Sequence, residues 1–281
     1  MYKRQSWIRS YELEAPVTLD HAQPENSIVK LLGIYHDVRS DRFSVTFSVN
    51  LGKVSRNKKL SPDLRDDEDP LQYILLHGLT RRTALRVSGS IFCYSGHCIT
   101  LQVASRLCFR QAILWNPQSS WDQQLTLQTK KMYAELFKNI LACSGHSWPR
   151  CWLPKDHDME EDGIHPYLAA HCDGSLVASS TKIFIISKPL GSKMRQASLV
   201  CARAQVAPVR QVLTVPQLEL NSLWLAAKAI EEIKQNFEVS IHGAVVLTDS
   251  ETAFHWTQAS PNFLQKFAAN KVKVIQSIID V

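Results

Sequence analysis

The sequence predicts an α+β protein whose first half is mainly helical and whose last third forms a mixed sheet with covering helices. Two observations lead to this class. Residues 71–143 carry apolar side chains at helical spacing, whereas residues 167–279 contain three strand-like runs followed by a helix, a strand and further helices. Strands followed by helices in this order are typical of a sheet packed against helices. The elements predicted for the last third are strands at 167–173, 182–187 and 198–205, a helix at 216–235, a strand at 243–248, and helices at 250–256 and 262–279.

The first predicted domain, residues 1–69, contains a hairpin and a charged linker. Residues 30–36 and 43–49 are strand-like, with a turn at 37–41 between them, and the second run alternates apolar and polar side chains. The stretch 51–69 holds many charged residues and little that could be buried. We therefore expect this stretch to be a mobile linker.

The second predicted domain, residues 70–162, is helical. Apolar side chains recur at a spacing of four over residues 125–143, which indicates an amphipathic helix that must pack against a partner. A second helix is predicted at 99–115. The acidic run at 156–162 is the best boundary before the third domain, residues 163–281.

Composition is that of an ordinary intracellular protein. The chain has 281 residues, 45% of them hydrophobic, which is enough for a substantial core. Its net charge of +6 permits a polyanionic partner without requiring one. Seven cysteines, with no Cys-x-x-Cys spacing, favour a reducing compartment. No run approaches the roughly 18 to 20 apolar residues of a membrane span. We expect a protein of the cytoplasm or nucleus that is neither secreted nor bound to a membrane.

Three carboxylates in the last third stand at the ends or beginnings of predicted elements. Asp173 ends the first strand of this region, Asp249 follows its last strand, and Glu219 lies in the first turn of the helix between them. Strand ends beside a helix start can direct side chains to one point, and clustered oxygen ligands are what Mg²⁺ or Mn²⁺ needs to act on a phosphodiester. Each acid also has a structural interpretation, as a turn residue, a favourable charge at a helix start and a helix cap, respectively.

A series of short motifs runs through most of the chain in the order and spacing found in one family. These motifs are Leu32-Gly33-Ile34, Asp41-Arg42-Phe43-Ser44-Val45, Thr80-Arg81-Arg82-Thr83-Ala84-Leu85, Ser88-Gly89-Ser90-Ile91-Phe92, Pro149-Arg150-Cys151-Trp152-Leu153-Pro154, Cys172-Asp173-Gly174-Ser175, Arg203 with Val206-Ala207-Pro208, Thr214-Val215-Pro216-Gln217-Leu218-Glu219-Leu220, and Leu247-Thr248-Asp249-Ser250 with His255-Trp256. On these residues the region 27–276 resembles the pol polyprotein of BEL/Pao-type long-terminal-repeat retrotransposons. The resemblance implies that residues 1–69 are a remnant from after the polymerase palm, 70–162 the connection region, and 163–281 a ribonuclease H-like domain.

The resemblance also implies a metal-dependent site. Asp173, Glu219 and Asp249 occupy the positions of the family's catalytic, metal-binding acids, and the implied cofactor is Mg²⁺ or Mn²⁺. The implied reaction is cleavage of the RNA strand of an RNA/DNA hybrid. The implied partner is that hybrid, or another nucleic acid, recognised by its shape, sugar hydroxyls and phosphates rather than its base sequence.

The sequence departs from the family in several places. Intact members carry a fourth acid on an element beyond the helix that ends this sequence, and Asp280 is a poor substitute, so we expect the ribonuclease H-like domain to be incomplete at its C-terminus. The strand after the first acid is altered at 176–180, and the family's Asp-Pro-Leu-Gly is replaced by Cys93-Tyr94-Ser95-Gly96. Neither Tyr-x-Asp-Asp nor an Asp-Thr/Ser-Gly triplet occurs. We therefore expect neither polymerase nor aspartic peptidase activity.

Four basic residues are candidates for contacts with nucleic-acid phosphates. Lys266 and Lys273 are seven positions apart on one predicted helix, and Arg106 and Arg110 are four apart on another. The alternative for each pair is a solvated helix face.

A zinc site is a weaker hypothesis. His157, His165 and His171 occur near Cys151 and Cys172, but their spacing matches no compact zinc motif. Ordinary surface or core roles are favoured for these residues.

Two functions from different classes remain open. The first is a ribonuclease H-like endonuclease that uses the three acids. The second is a catalytically inactive remnant that binds nucleic acid or serves as a protein-interaction module. The retained acids favour the first and the departures from the family favour the second.

Overall fold

The computed structural model describes residues 28–31, 33–52, 54–55, 58–59, 62–153, 166–188, 193–237 and 241–279. Its strands are β1 (Ile28–Leu31), β2 (Ile34–Asp37), β3 (Arg42–Val45), β4 (Val54–Ser55), β5 (Lys58–Lys59), β6 (Ser147–Pro149), β7 (Tyr167–Gly174), β8 (Ala178–Ser187), β9 (Gln196–Val206) and β10 (Ala244–Leu247). Its helices are α1 (Pro70–His77), α2 (Arg81–Ser90), α3 (Ile99–Trp115), α4 (Leu127–Ala142), α5 (Val215–Asn236), α6 (Glu251–Gln258) and α7 (Lys266–Ile278). The predicted α+β class is confirmed.

Two hydrophobic cores organise the described residues. The first lobe has a core built from side chains between Ile34 and Trp148, and the second lobe has a core built from side chains between Leu168 and Ile275. The first core includes side chains from both sides of residue 69, so the predicted domains 1–69 and 70–162 share one lobe in the described residues. The acidic run at 156–162, the predicted second boundary, lies outside the described residues.

The first lobe contains an antiparallel sheet in the order β1-β2-β3-β6. The sequence predicts one strand over residues 30–36, but the structure has two strands, which pair with each other as a hairpin. The chain turns at Gly33, whose φ of +86° lies in a region that favours glycine. Strand β6 comes from more than a hundred residues later and closes the sheet against β3.

The prediction that residues 51–69 form a mobile linker is wrong for both ends of this stretch, which pack in the first lobe. Leu51 and Leu64 are buried in the first core. The backbone N–H of Leu64 donates to the carbonyl of Val49 at 2.8 Å, and the Asn50 amide donates to the Asp63 carboxylate at 2.7 Å. Two leucines among the charges are therefore enough to attach this stretch to the lobe.

An ionic contact joins the β2–β3 turn to the segment after β6. Asp41, at the end of the turn, has a φ of +51° and accepts hydrogen bonds from the Arg150 guanidinium at 2.5 and 3.2 Å. His36 lies 3.2 Å from the same carboxylate. The hydrogen bond from Arg150, and then the contact with His36, hold the pKa of Asp41 at about 2.

Replacing Asp41 with Asn is expected to make stability less dependent on acid pH. A carboxyl whose pKa falls on folding stabilises the fold above its ordinary pKa, near 4, and that contribution is lost as the pH falls towards 2. Asn tolerates the positive φ, so the change removes charge without straining the turn. Thermal unfolding of both proteins between pH 7 and pH 2 checks this. The two melting temperatures should differ at pH 7 and converge near pH 2; a constant difference contradicts the account.

Helices α1 to α4 complete the first lobe. The bounds of α3 coincide with the predicted helix at 99–115, whereas α4 begins two residues later than predicted. The side chain of Thr126 accepts the backbone N–H of Thr129 and so caps α4. Tyr133 and Phe137 on the inner face of α4 have no exposed surface, as the predicted amphipathic stripe requires.

The second lobe contains a mixed sheet in the order β10-β7-β8-β9. Strands β7, β8 and β9 run antiparallel in succession, and β10 pairs in parallel with β7. Helix α5 packs against this sheet and buries Leu223, Ala226 and Ile230 in the second core. Helices α6 and α7 pack against α5. This arrangement confirms the predicted sheet with covering helices.

Two elements of the second lobe begin four residues away from their predicted starts. Strand β8 begins at Ala178 rather than at 182, because its pairing with β7 continues to Gly174 opposite Ser179. The last helix begins at Lys266 rather than at 262, because Pro261–Phe263 form a separate 3₁₀ turn. Within the described ranges, every helix is too short or too polar to cross a lipid bilayer.

Candidate metal-binding site

Asp173 and Asp249 lie at the carboxyl ends of two neighbouring parallel strands. The register pairs Leu247 of β10 with His171 of β7, so each acid lies two residues beyond a paired position. Neighbouring strands are about 4.8 Å apart. Both side chains are exposed, and both line one open cavity of about 500 Å³. Two of the predicted acids therefore share a solvent-accessible space.

Alternation along β7 explains why Asp173 is available to solvent. Cys172 is buried in the second core, so the flanking His171 and Asp173 lie on the opposite face of the strand. On β8, Lys182 pairs with His171 and Ser180 pairs with Asp173, and all four of these side chains line the cavity. The acidic end of the cavity is therefore adjacent to a lysine and a histidine.

Gly174 allows the start of α5 to pack directly against the end of β7. A Cβ built on Gly174 would lie 2.7 Å from the Cα of Glu219 and 2.6 Å from the carbonyl carbon of Leu218. Nearby, the buried hydroxyl of Ser179 donates to the carbonyl of Leu218 at 2.7 Å. These contacts hold the backbone of Glu219 against the residue that follows Asp173.

Ser250 links the third acid to the Asp249 segment. The half-buried carboxylate of Glu219 accepts a hydrogen bond from the Ser250 hydroxyl. The hydroxyl oxygen of Ser250 also accepts the backbone N–H of Ala253 at 3.1 Å, so Ser250 caps α6. Glu219 is thereby fixed to the residue immediately after Asp249, although it is not among the residues that line the cavity.

Replacing Ser250 with Ala is expected to lower the free energy of unfolding by about 1 to 2 kcal/mol, because both the cap and the bond to Glu219 are lost. Urea denaturation of the single variants Ser250→Ala and Glu219→Gln and of the double variant measures the coupling between the two side chains. A coupling energy indistinguishable from zero would contradict the contact.

The oxygen chemistry of the cavity fits a hard divalent cation. Mg²⁺ commonly binds through one or two carboxylates, several waters and substrate phosphates, and Asp173 and Asp249 supply such a pair of carboxylates. In the part of the chain that the structure describes, no three His, Cys, Asp or Glu side chains converge closely enough to hold a metal ion. The structure thus brings two predicted ligands to one cavity and holds the third beside them, bonded to Ser250.

Arg106 and Arg110 contact the second lobe. The Arg106 guanidinium donates to the carbonyl of Ala204 at 3.4 Å, and the Nε of Arg110 donates to that of Ala207 at 3.2 Å. Strand β9 is at the edge of its sheet, and unpaired backbone groups at such an edge need partners. The two arginines of α3 therefore join the lobes at this edge, a use that their spacing on the helix does not indicate.

Replacing both Arg106 and Arg110 with Ala is expected to lower the free energy of unfolding by about 1 kcal/mol, because the charged hydrogen bonds to the carbonyls of Ala204 and Ala207 are lost from partly exposed positions. The matched control changes Lys266 and Lys273, both exposed on α7, to Ala. Chemical denaturation of both double variants checks this. Equal stabilities would contradict a joining role for the arginines.

The predicted lysines and the zinc residues remain predictions. Between Lys266 and Lys273, the half-buried Lys271 donates to the Asn221 side chain at 2.6 Å and lies 4.1 Å from the centre of the Trp224 ring. Burial lowers the pKa of Lys271. This structural lysine was not identified in the sequence, although its spacing of one turn from Phe267 was available as a signal.

Two residues of the zinc hypothesis, His157 and His165, lie outside the described residues.

The comparison with protein families agrees with this geometry. A family model described as Pao retrotransposon-like RNaseH-like domain matches residues 80–250. The matched region covers more than half of the chain and includes Asp173, Glu219 and Asp249. A search of curated proteins finds no match. The resemblance to BEL/Pao-type elements is confirmed, and the chain belongs to the family of Pao retrotransposon-like RNaseH-like domains.

Proposed function

We propose that the second lobe is a ribonuclease H-like endonuclease that cleaves the RNA strand of RNA/DNA hybrids with Mg²⁺ or Mn²⁺. The observation that carries the proposal is the placement of Asp173 and Asp249 at adjacent strand ends around one open cavity. Glu219, held beside Asp249 through Ser250, is the third acid of the site. The match to the family supports the same ancestry.

The residues divide into cation ligands and groups that face the nucleic acid. Asp173 and Asp249 would hold the cation, and Glu219, which bonds Ser250 beside them, would be the third acid. A bound divalent cation supplies positive charge that stabilises the transition state and lowers the pKa of a water molecule. His171 and Lys182, on the same cavity, provide donors for phosphate oxygens.

The alternative is a catalytically inactive remnant that binds nucleic acid or a protein. One observation favours it: the Glu219 carboxylate bonds Ser250 and, in the described residues, is not gathered with Asp173 and Asp249 closely enough to hold a metal ion. Under this alternative the cavity retains its basic residues and binds a hybrid weakly, without cleaving it.

The test is cleavage of an end-labelled RNA/DNA hybrid by the purified chain in Mg²⁺ or Mn²⁺, with a chelator and an all-DNA duplex as controls. The enzyme hypothesis predicts shortened RNA in the hybrid only, and only with the cation. Hybrid binding measured by fluorescence anisotropy without any cleavage, from a protein shown to be folded by circular dichroism, would support the inactive remnant instead.

A further inference from the structure

One segment of the first lobe carries positive charge without any negative charge. Residues 81–121 comprise α2, α3 and the loops beside them, and they contain no Asp, Glu or Lys. The whole chain has a net charge of +6. A surface built from such a segment attracts polyanions. Its five arginines are Arg81, Arg82, Arg86, Arg106 and Arg110.

Two of these arginines keep their charge at the joint between the lobes. The guanidinium groups of Arg106 and Arg110 donate to two backbone carbonyls of the second lobe. A carbonyl oxygen has no formal charge, and it occupies one of the several N–H donors of a guanidinium. Arg82 differs, because the carboxylate of Asp122 lies 2.7 Å from its Nε and compensates its charge. Arg106 and Arg110 therefore retain both charge and donors for a phosphate group.

An exposed aromatic side chain adjoins these two arginines. Trp121 stacks on Phe109 of α3, with ring centres 6.4 Å apart and planes inclined by 27°. Phe109 lies between Arg106 and Arg110 in the sequence, so Trp121 is next to the turn of α3 that carries both arginines. The exposed fraction of Trp121 is 49%, which leaves ring surface for a second stacking partner. Positive charge combined with exposed aromatic rings is typical of sites for single-stranded nucleic acid.

The sheet register connects these arginines to the acidic cavity. Asp173 pairs with Ser180, and Ser180 pairs with Ala204, whose carbonyl accepts the hydrogen bond from Arg106. Paired residues of antiparallel strands share one face of the sheet. Neighbouring strands are about 4.8 Å apart, so this hydrogen bond is made roughly 10 Å from the backbone of Asp173. The row between them consists of the small side chains of Ser180 and Ala204, which leave room for a strand of nucleic acid to cross.

We propose that an arginine–aromatic surface, made of Arg106, Phe109, Arg110 and Trp121, binds a single strand that extends from the hybrid in the cavity. The two guanidinium groups hold phosphates of this strand, and the exposed ring of Trp121 stacks on one of its bases. The inference rests on the proposed function, because the cavity must hold the hybrid. It adds that the first lobe favours hybrids that carry a single-stranded extension.

The experiment measures the affinity of the full-length chain for two hybrids by fluorescence anisotropy in the presence of a chelator. One hybrid is blunt, and the other has an extension of about ten deoxythymidines, placed at either end of its DNA strand in separate reactions. One extended hybrid should bind at least about 5-fold more tightly than the blunt hybrid. Trp121→Ala should remove most of this gain. The matched control is Phe263→Ala, which removes an 89% exposed ring from the second lobe and should retain the gain.

The salt dependence of binding tests the arginines separately. The double variant Arg106→Gln, Arg110→Gln should lower the slope of log affinity against log salt concentration by about 0.7 for each lost phosphate contact. The matched control is Lys266→Gln, Lys273→Gln, which removes two charges from α7. Helix α7 packs in the second core, on the side of the sheet opposite the cavity, so this control should keep the wild-type slope. Circular dichroism establishes that both double variants are folded.

Equal affinities for the blunt and extended hybrids, or a gain that Trp121→Ala retains in full, would overturn the inference. So would a salt slope that changes in the lysine control and not in the arginine variant. If the wild type cleaves the hybrid but the extension has no effect on binding, the nuclease function stands and this surface does not bind the strand. If the extension tightens binding through Trp121 while no RNA is cleaved, the surface is supported and the nuclease function fails.

Discussion

Replacing Asp173 with Asn is expected to reduce cation-dependent cleavage of an RNA/DNA hybrid by on the order of 100-fold or more. Mutating residues that merely orient metal ligands already costs roughly 10- to 100-fold in affinity or activity, so removing a ligand charge should cost at least as much. Asn retains the size of the side chain, and Asp173 is exposed at the strand end, so the fold should be preserved. The measurement is the initial rate of cleavage at saturating Mn²⁺.

The matched control is Asp66→Asn, which removes an exposed carboxylate from the first lobe. Its cleavage rate should equal that of the wild type. Asp249→Asn should behave as Asp173→Asn does, because the two acids end adjacent strands around one cavity. If Asp173→Asn cleaves as fast as the wild type, cleavage by the preparation arises elsewhere and the assignment of the acids is wrong.

Replacing Gly174 with Ala is expected to lower the free energy of unfolding by about 1 to 3 kcal/mol or more. A methyl group would meet the backbone of Leu218 and Glu219, and backbone atoms cannot rotate away as a flexible side chain can. The start of α5 must shift from β7, which moves Glu219 away from Asp173. The variant should therefore lose cation binding as well as stability, and urea denaturation with a Mn²⁺ titration measures both effects.

The matched control for this change is Gly243→Ala. A Cβ on Gly243, just before β10, has no neighbour within 4 Å, so the substitution should be close to neutral. Equal stability losses in the two variants would contradict the close approach of α5 to β7. A Gly174→Ala protein that is destabilised but binds Mn²⁺ normally would contradict the link between this contact and the site.

The order of elements was predictable because each carries its own local signal. The bounds of α3 follow from apolar spacing, and the first strand of the second lobe and helix α5 are each within one residue of their predicted ends. The three candidate acids could also be placed in the sequence, because Asp173 and Asp249 follow strand-like runs and Glu219 lies in the first turn of a helix. The placement of Asp173 beside Asp249 then follows from a parallel pairing of their strands.

Other features depend on contacts that are distant in sequence. The burial of Leu64 requires the helices of the first lobe, so a composition rich in charge misled the prediction of a linker. The contacts of Arg106 and Arg110 with residues 204–207 could not be predicted, because spacing on a helix says nothing about residues about a hundred positions away. The helix-cap interpretation was given to Asp249, but the structure has Ser250 as the cap of α6. The bond of Ser250 to Glu219 joins segments thirty-one residues apart, which no local signal indicates.

Gly174 shows what one residue type can and cannot indicate. In the sequence it reads as a turn glycine after Asp173, yet it ends a strand, and it is the packing of α5 that requires the absence of a side chain. The sequence therefore indicates where a special backbone position lies. Only the packed lobe shows that Gly174 lets the backbone of Glu219 approach the end of the strand that carries Asp173.

The most direct test of the account is a titration of the purified chain with Mn²⁺, with the free ion followed by electron paramagnetic resonance. The wild type should bind Mn²⁺ saturably, and the double variant Asp173→Asn, Asp249→Asn should lose this binding while its circular dichroism and melting temperature stay close to those of the wild type. Mn²⁺ binding that is equally tight in the folded double variant, or no binding by the wild type at millimolar Mn²⁺, would contradict a metal site at the ends of β7 and β10.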